Sequence, residues 1–219
     1  MCASYGLGGG RMSDEHVFGL EPMDTHEGRA IIDRWMAEGD GKAAITGSRA
    51  QNLNPLIRAH TDGDRSIELG WWWLWLDSSG PVKFSAFNSR DDKLLRSWRG
   101  PFQHRALLPA SWYVEKKVRF ELPDGETFGI AAVTSTVIEA HTGEERVTYS
   151  MVTREAVGEA SKTWHRMPLV LPPEMHNEWL DPGRAGNESL VGDAQFASEE
   201  IAAAITAAET PRQAPPTLF

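Results

Sequence analysis

The chain has 219 residues, 41% hydrophobic and 24% charged, with a formal net charge of −9. Those proportions fit one fairly large globular domain or two small ones, able to bury a core without disulfides or structural metal. A single Cys excludes an internal disulfide framework and every multi-Cys metal site, and the acidic balance argues against a generally basic nucleic-acid binder.

The first string, "MCASYGLGGG", holds that only Cys directly after Met1. It has no basic segment followed by an apolar one, so it does not read as a secretion signal. No apolar run nears the roughly 20 residues of a membrane span, so the expected setting is the cytoplasm, without a membrane partner. Next, "DTHEGRAIIDRWMAEG" places Ala30, Ile31, Arg34 and Trp35 at helical spacing. Asp24 or Thr25 can cap this helix and Gly39 can stop it. "TDGD" marks a hairpin turn. "GWWWLWL" follows; on a continuous strand Trp71, Trp73 and Trp75 share one face and Trp72 takes the other. Such indoles either fill a core or stack on exposed bases.

Charge is uneven. Between Lys83 and Arg119 lie nine basic residues and three acidic ones, a local excess of +6, which can contact phosphate or be a solvated face. From Arg105 the chain reads as a β-meander, with turns at Pro123-Asp124-Gly125 and at "HTGEE". "PPEMHNEWL" starts a helix with Pro in its first turn, "EEIAAAITAAET" is a run of strong helix formers, and "PRQAPPTLF" reads as a disordered tail. No repeat or linker divides the chain. One α+β domain over residues 1–210, with a tail at 211–219, is expected.

The chemistry centres on Cys2. Removal of Met1 would expose an α-amine and a thiol on adjacent carbons, with ordinary pKa values of about 7.7–8.0 and 8.5. Such an aminothiol condenses with an aldehyde to an imine, which the thiol closes to a thiazolidine. It can instead attack an acyl carbon, as in N-terminal nucleophile hydrolases. No P-loop, G-x-S-x-G or dinucleotide fingerprint occurs, and no metal or cofactor is called for.

Met-Cys at the start, "AFNSR", "RALLPASWYVEKK" and "WHRMPLVL" occur in this order. Together they resemble the SRAP family (SOS-response-associated peptidases, or abasic-site processing proteins). The resemblance implies a bent, barrel-like, mainly antiparallel sheet flanked by helices. It also implies a monomer that binds single-stranded DNA containing abasic sites, associates with the nucleoid when bound, and traps the abasic aldehyde on Cys2 as a thiazolidine cross-link. Lyase and thiol (auto)peptidase activities belong to the same expectation. Carried over by position, Asn88 orients the Cys2 amine and the sugar, Glu115 shuttles protons, and Arg90 and Arg166 contact DNA. Trp75 falls near an aromatic DNA-facing loop. The family His falls on Trp164, so His165 could serve as the acid only if a bulge shifts it by one residue. The usual Cys-Gly-Arg start is "CAS" and the Glu-Trp pair is Glu115-Lys116. A peptidase or a non-catalytic single-strand binder are the competing readings.

Overall fold

The structure, a computed structural model, describes residues 2–8, 17–47 and 50–208; the tail expected from residue 211 lies outside them. Strand β1 (Ser4–Gly6) precedes helix α1 (His26–Gly39), which falls where the amphipathic spacing placed it. Thr25 caps α1: its Oγ1 accepts from the Gly28 amide at 3.0 Å, satisfying one of the orphan donors of the first turn. Asp40, in the left-handed region at φ 54°, ends it. Ile32 and Trp35 form its buried face.

After β2 (Lys42–Ala44), strands β3 (Leu53–Ala59) and β4 (Arg65–Trp71) pair as the hairpin that "TDGD" announced. The aromatic run corrects the expectation of a continuous strand. β4 stops at Trp71, and Trp71, Trp72, Trp73 and Trp75 are all buried, so alternation does not sort them to two faces. The irregular backbone lets two indoles find partners. Trp72 Nε1 donates to Phe87 O at 2.7 Å and Trp73 Nε1 to Val82 O at 3.0 Å, as buried indoles require.

β5 (Asn88–Arg90) leads through a short 3₁₀ turn into helix α2 (Leu94–Ser97). The segment before the Pro123 turn then forms β6 (Arg105–Ala110), β7 (Trp112–Glu115) and β8 (Val118–Glu121). β9 (Phe128–Ile138) and β10 (Glu145–Glu155) are the long hairpin read from the "HTGEE" turn. β11 (Arg166–Pro168), β12 (Val170–Leu171), α3 (Pro173–Leu180), α4 (Glu188–Ala204) and β13 (Thr206–Ala207) complete the chain. The last predicted helix is shifted. α4 begins at the acidic segment after its N-cap Asn187, and ends at Ala204 because Thr206 and Ala207 pair with β8 instead.

Pairing closes a five-stranded barrel in the order β3, β4, β10, β9, β6 and back to β3. The contacts are antiparallel except for β10 with β4 and with β5. A second antiparallel sheet runs β13-β8-β7-β1-β2. The architecture is therefore α+β, among the described residues a barrel with an added sheet and four helices, as the resemblance implied.

The basic excess between residues 83 and 119 also changes meaning. Arg105 is buried, and its guanidinium donates to the carbonyls of Phe102, Trp179, Asp181 and Arg184 at 2.6–2.8 Å. It caps the C-terminus of α3, where a cation is favoured, and burial draws its pKa down to about 10.

Candidate functional site

Two residues separate Cys2 from Tyr5, the anchor that fixes it. Ser4 pairs with Ala44 on one side and Val114 on the other, so β1 is an interior strand. Tyr5, fully buried, shares a hydroxyl–hydroxyl hydrogen bond of 2.7 Å with Tyr149 of the barrel, and its ring meets Trp72 edge-on at 5.0 Å. At Gly6 a Cβ would overlap the Gly41 carbonyl and the Trp112 ring, so only Gly lets the strands approach this closely. These contacts lock the N-terminal strand against the barrel.

Cys2 itself is 1% exposed, and its thiol donates to Ser4 O at 3.3 Å. Burial pushes the thiol up to about 12, and the nearby Glu115 carboxylate adds to the rise, while backbone groups of Ser4 and Val114 oppose it. Glu115 is buried at the end of β7. Asn88 arrives from the barrel side, because β5 pairs in parallel with β10, Asn88 lying opposite Met151. Its Nδ2 donates to the Cys2 carbonyl at 2.8 Å. Its Oδ1 is buried without a hydrogen-bond partner among the described residues, an acceptor available to the site. The structure thus brings together Cys2, Asn88 and Glu115.

A cleft of about 330 Å³ opens from Asn88, lined by Phe84, Arg90, Lys93, Ser97 and Trp98. Phe84 is exposed and its ring lies 5.9 Å from that of Trp98. Arg90 is exposed and forks onto Asp92 at 2.7 and 2.8 Å; so exposed an ion pair exchanges readily for a phosphate. Phe84 and Trp98 were not singled out by the sequence, since neither belongs to the conspicuous Trp run.

The other expected residues sit elsewhere. Arg166 points inward: its Nη2 pairs with buried Asp91 at 2.6 Å and also contacts Thr153, while Gln195 holds the other Asp91 oxygen at 2.6 Å. It braces β5, which carries Asn88, and presents no free cation. Trp75 is packed edge-on against Trp71 at 5.5 Å, inside the core rather than on a loop face.

His165 remains exposed, its ring tilted against Trp164 at 4.5 Å. Trp164 is half-buried and packs over the β7–β8 turn, with the Lys116 ammonium 3.9 Å from its ring centroid. No bulge substitutes His165 for Trp164. Lys116 and Lys117 form the two-residue turn between β7 and β8, both at positive φ, 50° and 69°. That turn geometry normally selects Asn-Gly, so nothing in "EKK" announced it.

A buried thiol just ahead of an interior strand of the second sheet, a buried carboxylate at the end of the neighbouring strand and an amide brought to the thiol residue's carbonyl from the barrel side define a site at the junction of barrel and second sheet. The family model for SOS response associated peptidase (SRAP) matches residues 31–207, and the chain belongs to that family. Cys2 lies ahead of the matched segment. Solved structures share the fold. A protein from Bordetella bronchiseptica is 17% identical with TM-score 0.61, covering 95% of this chain and 100% of that one. A protein from Bacteroides thetaiotaomicron is 20% identical with TM-score 0.57, covering 76% of each chain. A phage-related protein from Bordetella bronchiseptica is 17% identical with TM-score 0.53, covering 83% of this chain and 90% of the other. No curated protein matches the chain.

Proposed function

We propose that the protein captures abasic sites in single-stranded DNA as a covalent thiazolidine on Cys2, after Met1 has been removed. The observation that carries this reading is the thiol buried beside Glu115 with Asn88 on its carbonyl. In the reaction the free α-amine adds to the aldehyde carbon of the ring-opened sugar, and the carbinolamine loses water to give an imine. The Cys2 sulfur then attacks the imine carbon; a C–S bond forms, and the C=N π pair takes up a proton on nitrogen as the thiol gives one up. Aldehyde and aminothiol thus become thiazolidine and one water. Asn88 holds the residue in place, and its unpartnered Oδ1 can accept from the amine. The exposed Phe84, with Arg90 and Lys93, gives the adjoining cleft an aromatic face for a base and cations for phosphate.

Glu115 is the proton carrier between sulfur and nitrogen. A thiol with a pKa of about 12 is neutral at pH 7, so ring closure needs a base at hand. Glu115→Gln also relieves one of the causes that raise the thiol, but burial is the larger cause, so loss of the base dominates. The expected result is adduct formation about 10²–10⁴-fold slower than wild type. Its rate should also climb about tenfold per pH unit between pH 6 and 9, because free thiolate must now supply the nucleophile. Gel-shift kinetics with an abasic-site oligonucleotide read both. A wild-type rate in the variant would contradict the role.

A further inference from the structure

We infer that the Tyr113 hydroxyl is a hydrogen-bond donor to the Cys2 sulfur as that sulfur loses its proton, which makes Tyr113 a positioning residue of the same site. The inference rests on the thiazolidine reading above. Tyr113 and Glu115 are two residues apart on β7 and therefore share a face. Register confirms the face: Tyr113 lies opposite Tyr5 of β1 and opposite Phe120 of β8, against which its ring stacks at 5.3 Å. The side chain is fully buried and fixed by that stack, yet its hydroxyl has no hydrogen-bond partner among the described residues.

A buried phenol without a partner is costly, and a Phe would fill the same space without that cost. The β1–β7 register, Ser4 opposite Val114 and Tyr5 opposite Tyr113, sets the Cys2 end of β1 beside the Glu115 end of β7, and Cys2 and Glu115, the nucleophile and its proton carrier, both act electrostatically on this hydroxyl. Burial, with those two charges, keeps the phenol protonated far above neutral pH, so it can only donate or accept through an intact O–H. A neutral thiol needs no such donor. A thiolate does, and backbone groups of Ser4 and Val114 already favour that form; the phenol adds a third stabilising contact on the tyrosine side. During ring closure the S–H proton passes to Glu115 and on to the ring nitrogen, the C–S bond forms, and Tyr113 keeps its own proton throughout.

The test is Tyr113→Phe, which removes one oxygen and nothing else from the packing. Hydrogen bonds to charged groups predict adduct formation about ten- to a hundredfold slower with an abasic single-stranded oligonucleotide, with the rate profile displaced to higher pH. Thermal stability should be unchanged or raised, since an unpartnered polar atom has been removed; a merely structural Tyr113 would leave rate and pH profile untouched. Equal rates and equal pH profiles in variant and wild type would overturn this inference alone. Failure of the wild-type protein to form any adduct would overturn the proposed function and this inference with it.

Discussion

Cys2→Ala is expected to abolish the covalent adduct with abasic single-stranded DNA, while Cys2→Ser leaves a weaker, informative product. Ala keeps the α-amine but removes the sulfur, so the imine has nothing to close it and hydrolyses back. Ser keeps the amine and a hydroxyl, whose far higher pKa makes it a poor nucleophile at neutral pH. Its imine should be trapped by borohydride, and no adduct should survive denaturation without that reduction. The Cys2 side chain lies in the core beside Glu115, so both variants remove chemistry with only a small change in volume. Denaturing gels with and without borohydride check the pair. A stable adduct in Cys2→Ala without reduction would place the nucleophile elsewhere in the chain.

The second large effect is on stability. Arg166→Met is expected to destabilise the protein by about 3–5 kcal/mol, because it strands a buried carboxylate. Asp91 is 4% and Arg166 10% exposed at the side chain, and they meet at 2.6 Å. With Arg166 gone, Asp91 keeps the Gln195 amide, a neutral donor and not a counter-charge. For a chain of this size that loss lowers Tm by about 6–20 °C. The double variant Asp91→Asn with Arg166→Met removes the stranded charge and should recover much of the difference. Asp91 directly follows β5, three residues from Asn88, so the single variant should also slow the adduct by loosening Asn88. Differential scanning calorimetry of the three proteins decides; an Arg166→Met midpoint within about 2 °C of wild type would contradict the brace.

What could be read in advance divides along contact range. Helix α1 and the hairpins at Asp62-Gly63 and Thr142-Gly143 were legible because caps, turn residues and period are local signals. The barrel was expected only through the family resemblance, since its closure depends on β9 pairing with β6, β10 and β12 at once, and on β10 meeting β4 across one parallel contact, none of which is a local signal. Arg105 looked like one more surface cation. Its partners are carbonyls at the end of α3, more than 70 residues away, and no composition count shows them. Arg166 misled in the same way, its carboxylate lying 75 positions back.

The site was legible in part. Cys2, Asn88 and Glu115 followed from ordered motifs and meet in space. Trp75 was drawn toward DNA by a cluster whose rings pack the core, and His165 stays exposed beside half-buried Trp164, which packs over Lys116. Tyr113 could have been found, because strand period places it on the Glu115 face. The Lys116-Lys117 turn could not.

Intact mass spectrometry of the purified protein, alone and after incubation with an abasic single-stranded oligonucleotide, bears most directly on the capture chemistry. The chain alone should weigh the sequence without Met1, and the incubated sample should gain the oligonucleotide less one water, consistent with condensation. A chain that has lost Met1 and gains no such mass, under conditions where it binds the oligonucleotide, would contradict aldehyde capture by Cys2.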